Sequence, residues 1–234
     1  DLLNAYYNSI NIVDDGTRPT FSPRTASQLD DIHFDAYAIR KHCNKLKPKF
    51  SYGPDGYPPF LLKRIGPAIA EVIAQLFQSF MSIGRVPEEW KQAFIKPLYK
   101  KGPSSDPASY RPVSLTSVFS KLMEKIIVEQ LLKYLLANNL ISKQQHGFLS
   151  RKSTATNLLE SLNDWTVNME NKHSQSIAYI DFAKAFDSVS HPKLMTKLSG
   201  YGIGGVLLNW ISDFLTGRSH RTRVGHCLSP VAFL

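Results

Sequence analysis

The stretch Ser176-Ile-Ala-Tyr-Ile-Asp-Phe-Ala-Lys-Ala-Phe-Asp-Ser-Val189 decides how the rest of the chain is read. Residues 177–182 are an apolar run dense in strand-forming side chains, so the sequence predicts a buried strand there. Its one charge, Asp181, falls near the end of that strand, just before a short Ala183-Lys184-Ala185 turn. An ionised carboxylate at the mouth of a buried strand is costly to desolvate unless a cation meets it. Two readings follow: Asp181 caps a following helix, or it holds a cation, most often a divalent metal.

Outward from this stretch, the bulk numbers set limits. The 234 residues suffice for one large domain or two small ones. Lys and Arg number 28 against 19 Asp and Glu, giving a formal charge of +9, an excess that favours polyanionic partners. Cys43 and Cys227 lie far apart, without a CxxC pair or paired His spacing. They suggest neither a disulfide framework nor a zinc site, and the expected compartment is a reducing one. The longest apolar candidate for a membrane span is interrupted by Lys63, Arg64, Glu71 and Gln75. The chain opens at Asp1 without a Met or a signal peptide and stops inside Val231-Ala-Phe-Leu234, so both ends read as cuts through a longer polypeptide.

In chain order, residues 1–30 are rich in Asn, Asp, Thr, Pro and Ser and read as a linker or irregular arm. From Asp35, a cap candidate, Ile39, Cys43 and Leu46 recur at helical spacing. The loop around Gly53-Pro-Asp-Gly56 forces tight turns. Ile69, Val72, Ile73, Leu76, Phe77 and Phe80 then mark the expected core face of an amphipathic helix. A strand is predicted from Trp90 into the basic turn Lys100-Lys-Gly102, with a return strand over Ser109-Tyr-Arg-Pro-Val-Ser-Leu115. On such a hairpin Lys100, Lys101 and Arg111 are either ordinary solvated cations or a converging guanidinium and ammonium that suit a triphosphate: the first bonds it bidentately, the second supplies a mobile point charge. Helices are predicted from about Ser117 to Asn138, through Leu158, Leu159, Leu162, Trp165 and Met169, and over residues 191–198 and 206–215. Arg218, Arg221 and Arg223 fall on a predicted β-segment, either as a solubilising stripe or as phosphate contacts.

These blocks resemble, in order, the motifs of reverse transcriptases from non-LTR (LINE-type) retrotransposons, from about Lys49 to Gly225. The matching strings are Gly53-Pro-Asp-Gly56, Lys-Lys-Gly102, Tyr110-Arg-Pro-Val-Ser-Leu115, Gln144-Gln-His-Gly-Phe with Arg151 to Thr154, and Asp181 to Asp187. The resemblance implies that Asp181 is catalytic and, with the Phe182 carbonyl, holds two Mg²⁺ ions. It implies that Phe186 packs under the sugar of the incoming dNTP while Lys100 and Arg111 grip the nucleotide. It further implies that Arg151 and Lys152 meet template phosphate, with Arg218, Arg221 and Arg223 on template or primer. The implied partners are an RNA template, a DNA primer and dNTP, and the setting a nuclear or cytoplasmic ribonucleoprotein.

The implied architecture is α+β, a right-hand polymerase fragment: helix-rich fingers over 31–172 around a basic β-hairpin, then a truncated, incomplete ferredoxin-like palm over 173–234. The Pro-Gln-Gly turn and the Tyr-x-Asp-Asp hairpin of the family do not occur in this chain. A single carboxylate cannot hold a two-metal site, so the 234 residues by themselves are expected to be inactive. Two function classes stand: an RNA-directed DNA polymerase fragment, active when completed, and an inactive relic or RNA-binding module. An unrelated phosphotransferase built on Asp181 leaves the fingers blocks unexplained.

Overall fold

The computed structural model describes residues 1–10, 14–182 and 184–234. Helix α1 (Leu2–Asn8) leads to an arm, then to α2 (Ala36–Lys45), whose cap Asp35 accepts from the Ala38 N–H at 2.7 Å. α3 (Pro59–Ile65) opens on a proline, tolerated because first-turn N–H groups have no partner within the helix. α4 (Ala70–Ser82) and a short 3₁₀ turn precede the hairpin of β1 (Gln92–Tyr99) and β2 (Tyr110–Leu115). α5 (Val118–Ala137) begins at Ser117, a fully buried cap that accepts from the Phe119 and Ser120 N–H groups. Then come α6 (Thr154–Glu170), α7 (His191–Gly200), α8 (Gly205–Leu215), β3 (Ser219–Val224), β4 (Cys227–Leu228) and β5 (Ala232–Phe233).

The main core lies among α2, α4, α5 and α8, where Ile39, Phe77, Met81, Met123 and Leu207 are fully buried. Phe77 and Phe80 both meet Trp90 edge-on, at 5.9 and 5.4 Å between centroids. Emptying the Phe77 site is expected to cost about 3–5 kcal/mol. The Gly53 turn is pressed against the start of α5: a Cβ there would lie 2.7 Å from the Thr116 carbonyl carbon, so glycine is required.

The strands form one mixed sheet in the order β2-β1-β3-β4, with β5 also on β3. β1 pairs antiparallel with β2 and parallel with β3, with Phe94 opposite both Leu115 and Arg221. Because side chains alternate along a strand, this register sorts the sheet into two faces. Ala93 and Ile95 are buried against Tyr7 of α1. Phe94, Lys96, Arg111, Arg221 and Arg223 share the opposite face.

The chain is thus α+β, with the expected hairpin and the helices near their expected positions. Three expectations are corrected. No strand forms over residues 177–182; Tyr179, Ile180 and Phe182 are exposed, and Asp181 is in solvent rather than at the mouth of a buried strand. Strand propensity is largely a fit to a pleated surface, and among the described residues no strand pairs with this run. The turn expected after it includes Ala183, which lies outside the described residues. On α4 the core stripe is Ala70, Ile73, Ala74, Phe77 and Met81, while Ile69, Val72 and Leu76 are exposed. The sequence offers an apolar arc wider than one neighbour covers, and packing against α2 and α8 selects the part that is buried. Lastly, the arm expected to be irregular holds α1 and a parallel bridge between Leu29 and Ile203. Its residues 11–13 lie outside the described residues.

Candidate nucleotide and nucleic-acid site

The turn after Asp181 is held by contacts from distant parts of the chain. Lys184, in the left-handed region at φ 51°, places its ammonium 5.8 Å from the centre of the Tyr6 ring. Phe186 meets Phe148 edge to face at 6.2 Å, which joins this turn to the loop over residues 144–153. Phe186, Asp187 and Arg218 line a cavity of about 400 Å³. Asp181 itself is exposed, and no cation pairs with it among the described residues.

The 144–153 loop is anchored by His146, which sequence reasoning passed over. Its buried ring meets Glu160 at 2.6 Å through Nε2 and Thr156 at 2.9 Å through Nδ1. The hydrogen bond from His146 is the main influence lowering the Glu160 pKa. Ser153 and Thr156 close a reciprocal capping box at the start of α6. Lys152 donates to the Lys143 carbonyl at 2.6 Å, so its ammonium braces the loop. Arg151 is exposed in a left-handed turn at φ 64°.

On the hairpin, Lys100 and Lys101 lie in the exposed connection, where the Lys100 N–H bonds the Ser109 carbonyl at 2.8 Å. Arg111 stands opposite Leu98 and is exposed. The three arginines near β3 have different jobs. Arg218 donates to the Phe214 carbonyl at 2.7 Å and lies over the Phe214 ring at 4.8 Å. Burial depresses its pKa, opposed by Glu124. Arg221 donates to the Ser229 carbonyl at 2.8 Å. Arg223 lies 5.0 Å from the Phe94 ring centre and 5.5 Å from that of Tyr52. These three residues, with Lys96 and His226, line a cavity of about 540 Å³.

The structure therefore gathers Arg111, Arg221 and Arg223 on one sheet face and adds Lys96, Tyr52 and Phe94, which sequence reasoning missed. Alternation along β1 and the hairpin register carried the signal that joins Lys96 to Arg111, while joining it to Arg221 and Arg223 needed the pairing with β3. No hydrogen bond, ion pair or shared cavity joins Asp181 to Lys100 or Arg111 among the described residues.

In chain order, the strands of the basic sheet face come both before and after the Asp181 block. The chain belongs to the family described as reverse transcriptase (RNA-dependent DNA polymerase), whose sequence model matches residues 98–234. Its relatives are proteins of non-LTR retrotransposons. The RNA-directed DNA polymerase from mobile element jockey of Drosophila melanogaster is 33% identical over 65% of this chain and 17% of its own length. The jockey polymerase of Drosophila funebris is 27% identical over 84% of this chain and 21% of its own. The probable RNA-directed DNA polymerase from transposon BS of Drosophila melanogaster is 29% identical over 70% of this chain and 19% of its own. The chain thus spans about a fifth of the length of the curated relatives it matches.

Proposed function

We propose that this chain supplies the fingers, over residues 31–172, and the front of a ferredoxin-like palm, over 173–234, of an RNA-directed DNA polymerase. The observation that carries this reading is the basic sheet face. Arg111 of β2 lies on the same sheet face as Lys96 of β1 and Arg221 and Arg223 of β3, so three strands contribute cations to one face. Such a surface tracks a phosphate backbone, while the exposed Arg111 fork suits a triphosphate.

Asp181 is a hard oxygen ligand, exposed and, among the described residues, without a paired cation, so it fits one position at a divalent ion, with the Phe182 carbonyl as a second donor. No group of three His, Cys, Asp or Glu residues able to hold a metal occurs among the described residues, so these donors fit as part of a ligand set. When bound, Mg²⁺ neutralises triphosphate charge and lowers the pKa of an attacking hydroxyl. The chain's own groups do the positioning: Arg111 and Lys100 bind the triphosphate, Phe186 sets the sugar, and Arg151, Lys152 and the sheet-face arginines hold template and primer phosphates. The setting is an intracellular ribonucleoprotein, nuclear or cytoplasmic.

The test is primer extension on an RNA template by a polypeptide that carries this segment together with an Asp-Asp hairpin. Mg²⁺-dependent dNTP incorporation that is lost in Asp181→Asn supports the reading; incorporation unchanged by that substitution overturns it.

A further inference from the structure

Residues 44–64 carry five cations, Lys45, Lys47, Lys49, Lys63 and Arg64, against a single acid, Asp55. None of these has a role in the function proposed above. Phe50 is 70% exposed, yet its ring is placed: it stacks on Phe60 with centroids 4.9 Å apart and planes inclined by 29°. The Arg64 guanidinium lies 5.6 Å from the centre of the Phe60 ring. Phe60, Lys63 and Arg64 line, with Asn44, Pro48 and Pro67, a cavity of about 440 Å³.

The cations divide by what they touch. Lys63 donates to the Asn44 and Leu46 carbonyls at 2.7 and 2.8 Å, tying the end of α2 to α3 and fixing the cavity wall. Lys45, Lys47 and Lys49 are exposed, and no carboxylate pairs with them among the described residues. Burial first, and the charge of Lys49 as well, push the nearby Lys121 ammonium below its ordinary pKa against Glu124 and Asp55. The patch therefore holds more positive charge than its own acids neutralise.

A flat aromatic face held out in solvent beside unpaired cations matches a strand whose bases are free to stack and whose phosphates are regularly spaced. A duplex keeps its base faces stacked internally, and an acidic peptide would use the cations but has no need of the ring. We propose that the Phe50, Phe60 and Arg64 cluster is a binding subsite for single-stranded nucleic acid. One base stacks on Phe50, and the flanking phosphates sit at Lys47, Lys49 and Arg64.

The test is fluorescence anisotropy with the full 234-residue chain and four labelled probes: a 12-nucleotide single-stranded RNA, the equivalent DNA, a 12-base-pair duplex and an acidic peptide. Phe50→Ala is expected to weaken both single strands by about tenfold and leave duplex binding unchanged. Phe50→Tyr keeps the flat face and is expected to retain affinity, whereas Phe50→Leu keeps only bulk and loses it. That pair decides the matter even where Phe50→Ala folds poorly. Changing Lys47 and Lys49 together to Gln is expected to lower the slope of log affinity against log salt by about 1.4 for a single strand. Arg151→Ala, run in the same series, reports on the separate site proposed above, so failure of one reading leaves the other testable. Single-strand affinity that is indifferent to Phe50, or an equal Phe50 effect on the acidic peptide, overturns the proposal.

Discussion

Phe186 and Phe148 meet edge to face at 6.2 Å while both stay largely in solvent. This edge contact leaves the Phe186 ring open to a ligand, which a core plug would not be. At 79% exposure, its replacement by Val should cost under about 1 kcal/mol of stability, far below a core truncation. If the ring lies under the incoming sugar, Phe186→Val in a completed enzyme should admit ribonucleotides. The measurement is the ratio of dNTP to rNTP incorporation efficiencies, and an unchanged ratio removes the gate role.

Much of the fold was legible because helix ends and hairpins carry local signals. Asp35, Ser117 and Ser153 each cap the helix that the apolar spacing predicts, and the β1–β2 hairpin follows from two strand runs around a Gly-containing turn. What failed needed partners that lie far off in sequence. Residues 177–182 read as a strand by composition, but a ladder is decided by what pairs with it. The hairpin register already puts Lys96 and Arg111 on one face, but Arg221 and Arg223 join it only through the parallel register of β1 with β3, whose paired residues are some 127 positions apart, as in Gln92 with Ser219. His146 gave no sign of its role because its carboxylate, Glu160, sits on the next helix rather than in the motif.

Lys91 is buried and forms ion pairs with Asp213 at 3.0 Å and Glu88 at 3.2 Å, while Asp213 also accepts from the Val86 N–H at 2.7 Å. Burial works to lower the Lys91 pKa, but the hydrogen bonds to Asp213 and Glu88 outweigh it and the net shift is upward. Lys91→Ala should therefore destabilise the chain by about 3 kcal/mol, since it removes the cation that neutralises Asp213. Lys91→Met should cost less, because it keeps the packing of the stem. Urea melts of the two variants check this, and equal stability with wild type would show that the pair contributes nothing.

The arm is latched to α7 by acids: Asp14 accepts from Ser190, and Asp15 pairs with Lys193 at 2.8 Å. The hydrogen bond from Lys193 brings the Asp15 pKa down to about 2, and that from Ser190 holds the Asp14 pKa well below the carboxylate range. A depressed acid stabilises the latch above its unfolded pKa of about 4, and that contribution fades as pH falls toward the folded value. The arm should therefore loosen between about pH 4 and 2 without any change at neutral pH. Asp15→Asn should loosen it at pH 7, seen as faster trypsin cleavage after Arg18 and Arg24. Unchanged cleavage would separate the arm's order from this ion pair.

The last prediction separates metal holding from phosphate holding. Asp181 is an exposed carboxylate with no cation paired to it among the described residues, whereas Arg111 is an exposed fork on a face that also carries Lys96, Arg221 and Arg223. If the first binds metal and the second the triphosphate, Asp181→Asn in a completed enzyme should abolish extension and leave RNA affinity within about twofold. Arg111→Ala should instead raise the dNTP concentration needed for half-maximal rate by about tenfold or more, since a bidentate charged hydrogen-bond pair is lost. Lys96→Gln and Arg223→Gln should weaken RNA uniformly across sequences and reduce the salt slope by about 0.7 each for a single strand. Steady-state extension kinetics alongside RNA titrations at several salt concentrations read all three effects. Equal losses of RNA affinity in Asp181→Asn and Arg111→Ala would contradict the division of labour assigned to them.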